Sequence, residues 1–134
     1  MSDKLFKRIC ITLIALIVII LAITAIIYAK ANQLKEEQRV AYEKEFNESL
    51  KGDPYYLQAT AGELSVIVYV NDSFTDLSYK EQLDITNEYI VLATSLRLKY
   101  DRLADDKYVC AHVCTRMGSE LVKSDNKGKI KIVQ

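Results

Sequence analysis

"ELSVIVYVND", residues 63–72, decides how most of this chain is read. Leu64, Val66, Val68 and Val70 fall on one side of an extended strand, and Ile67 and Tyr69 on the other. Both faces are apolar, which predicts a strand inside a sheet rather than at its rim. Asn71-Asp72-Ser73 ends the run with turn-forming side chains.

Downstream, Ser78 stands three residues before Glu81, the spacing of a capping box in which a hydroxyl and a carboxylate serve free backbone amides. A helix is expected from there to Tyr100 or Leu103. Its stripe of Leu83, Tyr89, Ile90, Ala93, Leu96, Tyr100 and Leu103 recurs at three- and four-residue steps and suits packing on a sheet face. Asp105-Asp106 turns the chain into "KYVCAHVCT" (107–115), a second strand rich in Val, Tyr and Cys. After Arg116-Met117-Gly118-Ser119, "ELVK" (120–123) and "KIKIV" (129–133) flank a hairpin loop. In the last strand Lys129 and Lys131 point to water and Ile130 and Ile132 to the core, and lysines on an outer strand oppose edge-to-edge pairing.

The expected order is β-α-β-β-β, in an α+β fold with one long helix packed on a mixed sheet. The strands joined through the helix should be parallel with a right-handed crossover, and the later strands an antiparallel meander. "YYLQATA" (55–61) is balanced between an edge strand and a loop.

Cys110, His112 and Cys114 are the stretch closest to chemistry. Thiols and imidazole are zinc ligands, and in a strand all three share a face. The spacing opposes one metal. Alternate residues of a strand lie about 6.6 Å apart and the two cysteines about 13 Å, at roughly 3.3 Å per residue. The same distance opposes a disulfide, which needs Cα atoms within about 7 Å. Two free thiols beside a single His is the expected state. His112 is the only histidine, and no Ser or Cys forms a recognisable nucleophile–base pair with it. Asp105-Asp106, or Asp72 with Asp76, could touch a cation, but the alternating ligand run of a calcium loop is missing. No Gly-rich phosphate loop occurs. The chain is therefore expected not to be an enzyme, with no catalytic, cofactor-binding or metal-binding residue. Asn47-Glu48-Ser49 and Asn71-Asp72-Ser73 fit the N-glycosylation pattern. Tyr55, Tyr56, Tyr79 and Tyr108 are expected to rim the core with their hydroxyls in water, the other reading being contact residues for a partner.

Upstream, "KANQLKEEQRVAYEKEFNESLKG" (30–52) reads as a helix of good formers, stopped by Gly52-Asp53-Pro54. Leu34, Ala41, Tyr42, Phe46 and Leu50 mark a narrow apolar stripe on a charged helix, and a solvated stalk is expected. Before it, residues 9–29 carry no charge. At 1.5 Å per residue that helix is about 30 Å long, the thickness of a bilayer's hydrocarbon core. Thr12 and Thr24 can bond back to the helix's own carbonyls. Lys4, Lys7 and Arg8 precede the stretch and Ala29-Lys30-Ala31 offers a small-x-small cleavage site. The apolar part nevertheless exceeds the roughly 7–15 residues of a signal peptide, so a retained anchor is expected. The basic tail places the amino terminus in the cytoplasm and the larger domain outside.

"ITLIALIVIILAI" (11–23) resembles the start of type IV pilins and pseudopilins, whose Phe-Thr-Leu-Ile-Glu run opens a long apolar helix carrying a β-rich head. The chain departs from that pattern at Cys10, near where the family has Gly, and at Ala15, where it has Glu.

Charge sharpens the picture by exclusion. Eighteen Lys+Arg balance eighteen Asp+Glu, and setting aside Lys4, Lys7, Arg8 and Asp3 leaves the remainder slightly acidic. No basic surface dominates that would take nucleic acid. The expected organisation is a cytoplasmic tail at 1–8, a transmembrane anchor at 9–29, a helical stalk at 30–51 and an extracytoplasmic domain at 52–134. The function expected is that of a single-pass membrane protein whose small domain acts by protein–protein interaction. Its partners would be the lipid bilayer and another membrane or surface protein, with no nucleic acid. The alternatives are a pilin-like assembly subunit, which the resemblance implies, and a secreted domain cleaved after Ala31.

Overall fold

Residues 65–70 do form an interior strand, and the rest of the sheet is built around it. The computed structural model describes residues 2–62, 64–100 and 107–133. In chain order the elements are α1 (Asp3–Leu50), β1 (Tyr56–Ala61), β2 (Ser65–Val70), a 3-10 turn (Asp72–Phe74), α2 (Tyr79–Tyr100), β3 (Cys110–Thr115), β4 (Glu120–Ser124) and β5 (Ile130–Ile132). The chain is α+β, and it divides between Glu36 and Glu37 into two units.

In the first unit, α1 exposes its apolar side chains on every side, from Leu5 to Ile27. The hydroxyls of Thr12 and Thr24 donate to the carbonyls of Arg8 and Ile20, at 2.9 and 2.8 Å, so neither breaks the apolar surface with an unmet donor.

The second unit holds a five-stranded sheet in the order β1-β2-β3-β4-β5. β2 and β3, joined through α2, are parallel, and every other pair is antiparallel. "YYLQATA" resolves as an edge strand. It is antiparallel to β2 and stands ahead of the β-α-β-β-β run read from the sequence. Pairing fixes which residues share a face. Ala59 and Ala61, then Val66, Val68 and Val70, then Ala111 and Val113, then Val122 all point to one side and are buried. Leu64 falls outside this set. It lies before β2 and is 63% exposed.

That inner face is covered by α2 and by the last turns of α1. Tyr42 and Phe46 are 1% and 0% exposed, and with Leu50 they join Phe74, Tyr89, Ile90 and Ala93 in one core. This corrects the solvated stalk at 30–51 and the domain start at Gly52: the compact unit begins at Glu37. The charged residues around the stripe remain in water, and the three large side chains bury on a sheet that the local sequence does not reveal. Leu34 stays exposed.

α2 starts as its cap predicts. The Glu81 amide donates to Ser78 Oγ at 3.2 Å. The other half of the box differs, because the Ser78 hydroxyl itself donates to the Glu81 carboxylate at 2.9 Å. Tyr89, Ile90 and Ala93 are buried as expected, whereas Leu83, Leu96 and Tyr100 are only partly so. Leu103 and Asp105-Asp106 lie outside the described residues. Gln82, Thr86 and Arg97 are buried on the same helix face, a pattern the apolar periodicity does not announce. Each is served by nearby backbone or an aromatic ring. Gln82 Nε2 donates to the carbonyls of Phe74 and Leu77, Thr86 donates to the Gln82 carbonyl, and the Arg97 guanidinium lies 5.6 Å from the Tyr42 ring centre. Two glycines close the remaining turns in the left-handed region, Gly118 at φ 90° and Gly128 at φ 80°.

Candidate functional surfaces

Cross-strand register assembles the outer sheet face row by row. Thr60, Ile67, His112, Lys123 and Lys131 form one row, and Gln58, Tyr69, Cys114 and Glu120 the next. Cys110, His112 and Cys114 therefore share a face, as the sequence predicts. Cys110 and His112 are half-buried and Cys114 is buried. All three cysteines are free thiols. Burial pushes both sheet thiols above their ordinary values, assisted by Asp125 beside Cys110 and by Glu120 beside Cys114. Each is thereby held as the neutral thiol at neutral pH, the form that is neither nucleophile nor metal ligand. His112 Nδ1 lies 3.5 Å from Glu120 Oε1, a buried oxygen that accepts no hydrogen bond. Among the described residues no group of three His, Cys, Asp or Glu side chains is placed to hold a metal ion, and Asp72 and Asp76 belong to no such group.

The two glycosylation-type asparagines are committed to the fold. Asn71 caps the 3-10 turn through Ser73 N–H and donates to the Pro54 carbonyl at 2.8 Å. Asn47 is held more tightly still. Its Oδ1 accepts from the Ala59 amide at 2.9 Å, and its Nδ2 donates to the Ala59 carbonyl at 3.0 Å and to the Glu43 carbonyl at 2.8 Å. The Tyr56 hydroxyl also donates to Asn47 Oδ1.

Asn47 belongs to a larger device that single residues do not suggest. One turn earlier on α1, Glu43 Oε2 accepts from the Ala61 amide at 2.9 Å. One turn earlier again, Arg39 Nη1 donates to the Ala61 carbonyl at 3.1 Å and to Glu43 at 3.0 Å. Ala59 and Ala61 are alternate residues of an edge strand, and the bonds fall on the side away from β2. Arg39, Glu43 and Asn47, spaced four apart, thus supply the partners that another strand would otherwise provide. The β1 edge is closed by side chains of the helix that carries the apolar segment. Only the four-residue spacing of the three polar side chains hints at this in the sequence, and the same spacing marks any solvated helix face.

A second tie joins α1 to α2. Lys99 Nζ lies 2.9 Å from Glu45 Oε1, and the Tyr100 hydroxyl donates to the same carboxylate. These two hydrogen bonds, that of Tyr100 first, hold the Glu45 carboxyl below the usual glutamate range.

The tyrosines divide. Tyr42 and Tyr89 are fully buried, Tyr55 and Tyr56 pack against the core, and Tyr79 and Tyr108 are exposed. The remaining surface of note is the apolar part of α1, the one described helix long and apolar enough to cross a membrane, with none of it buried. No protein-family model, curated protein or solved structure matches the chain.

Proposed function

We propose that the chain is a single-pass membrane protein, amino terminus in the cytoplasm, that presents the α/β unit starting at Glu37 outside the membrane and acts there by binding another protein. The observation that carries this reading is the helix through residues 9–29. It is uncharged and its large apolar side chains face outward on all sides. Water is a poor solvent for such a surface and hydrocarbon a good one. The basic trio Lys4, Lys7 and Arg8 supports the orientation. The binding role is supported by the exposed lysines Lys123, Lys127, Lys129 and Lys131, which gather at one rim of the sheet.

A second reading is favoured by the boundary between the units. Cleavage after Ala31 would leave everything from Glu37 onward intact, including Tyr42, Phe46 and Leu50, so a released domain would keep its core. Two measurements on the expressed protein decide. Full-length chain should sediment with membranes at high speed and dissolve only on adding detergent, with protease added outside releasing the head. Intact mass should keep the residues before Ile9. A mature terminus at Asn32 would establish the secreted form, and processing near Cys10 would establish the pilin-like subunit. Full-length chain that remains in the supernatant without detergent would end the membrane reading.

A further inference from the structure

The sheet has two rims, and they are treated differently. At β1 the outward backbone groups of Ala59 and Ala61 are taken by Arg39, Glu43 and Asn47. At β5 no comparable cover exists among the described residues. Lys129 O and Val133 N bond inward to Asp125 and Leu121 of the β4 side. By the alternation of an antiparallel ladder, the N–H and C=O groups of Ile130 and Ile132 then face away from the sheet. An unpaired row of this kind is a template for a further strand.

The side chains specify which strand. Lys123 and Lys131 are cross-strand partners on the outer face, and Lys129, two residues from Lys131, points the same way. With Lys127 in the hairpin loop, four exposed lysines crowd this rim, and none of the four is in an ion pair among the described residues. Among the described residues the acid beside them, Asp125, is occupied: its Oδ1 accepts from the amides of Lys127 and Lys129 at 2.9 and 3.0 Å. A groove lined by Lys123, Ser124, Asp125, Lys129, Ile130 and Lys131 runs beside the rim. On the opposite face Ile130 and Ile132 are half-exposed beside α2. A second copy of the chain fits poorly, since antiparallel pairing of β5 with itself sets lysine against lysine.

We propose that the β5 rim binds an extended segment of a partner protein that alternates acidic and apolar residues. The carboxylates would lie beside Lys129 and Lys131 on the outer face. The apolar side chains would extend the layer of Ile130 and Ile132 over α2, and the main chain would pair with the outward groups of those two isoleucines. This deepens the reading above, resting on it only in taking the head as a protein-binding module.

The test uses the full chain in zwitterionic detergent micelles, with short capped peptides of alternating valine and glutamate, or valine and lysine, as probes. Amide hydrogen exchange is followed by NMR. The Val/Glu peptide should slow exchange at Ile130 and Ile132 and leave the β1 amides unchanged, and the Val/Lys peptide should do neither. The double variant Lys129→Glu, Lys131→Glu, on exposed positions, should keep its melting temperature. It should bind the Val/Glu peptide about tenfold more weakly and now prefer the Val/Lys peptide, as cross-strand charge pairs imply. No slowing, equal slowing by both peptides, or slowing confined to β1 would overturn the proposal. So would protection of Ile130 and Ile132 that rises with protein concentration in the absence of peptide, which would mark a second copy. Sedimentation of the same variants with membranes reads anchoring separately, so failure of one leaves the other standing.

Discussion

Asn47 shows how one side chain can decide what an edge strand does. Its amide satisfies both backbone groups of Ala59 and one carbonyl of its own helix. Asn47→Ala removes all of these partners from a half-buried site. Leaving such groups unmet costs about 1–3 kcal/mol. Urea unfolding should show that loss in the midpoint. Asn47→Asp keeps the acceptor for the Ala59 amide and should lose less. Equal stability of Asn47→Ala and wild type would mean that water replaces the bonds at no cost. In the sequence, Asn47 appears only as part of a modification pattern. What gives it another role is an alanine twelve positions later.

At the scale of elements, α1 and α2 are held together by a core and by polar ties. Tyr42 donates its hydroxyl to the Ala93 carbonyl inside the core, and Glu45 meets Lys99 and Tyr100 at the surface. The pH response of that tie follows from its sign. The Glu45 carboxyl is held below its ordinary value of 4.5 in the folded state. Its stabilisation is therefore fully present above that value and is lost as pH falls through the lower, folded one. Asp125 is also depressed, by the amides of Lys129 and Lys127, and adds an acid limb at the β5 hairpin. Between about pH 5 and about pH 3 the melting temperature should fall less steeply in Glu45→Gln than in wild type, with the two converging at the acid end. Asp125 is exposed and Glu45 partly so, and solvent screening keeps the effect small. Identical slopes would remove the tie from the account.

At the scale of elements the sequence is also a good guide where one local signal suffices. Alternation marks β2, the Ser78–Glu81 spacing marks the start of α2, and a helix-length connection dictates that β2 and β3 run parallel. It is a poorer guide to α2's buried face. Gln82, Thr86 and Arg97 look solvated by residue type, but each finds its partner in backbone or ring brought alongside by folding.

The whole molecule can be tested by where it is cut. A chain starting at Glu37 should be soluble and unfold cooperatively, because it keeps every core residue. One starting at Gly52 lacks Tyr42, Phe46 and Leu50. Truncating a single buried aromatic costs about 3–5 kcal/mol, and a domain of this size has about 5–15 kcal/mol in all. The shorter fragment should lack a thermal transition and bind a hydrophobic dye. Cooperative unfolding of the 52–134 fragment, seen by circular dichroism, would restore the solvated stalk.

Hydrophobicity and period alone determine that residues 9–29 form a span-length apolar helix and that an α/β unit follows, because both signals are carried by neighbours in the chain. Tertiary structure alone decides that residues 39–50 belong to that unit, that they close the β1 rim, and that no described residue covers the β5 rim in the same way. A three-residue apolar stripe and a row of polar side chains mean the same thing in water as against a sheet until the sheet is there to receive them.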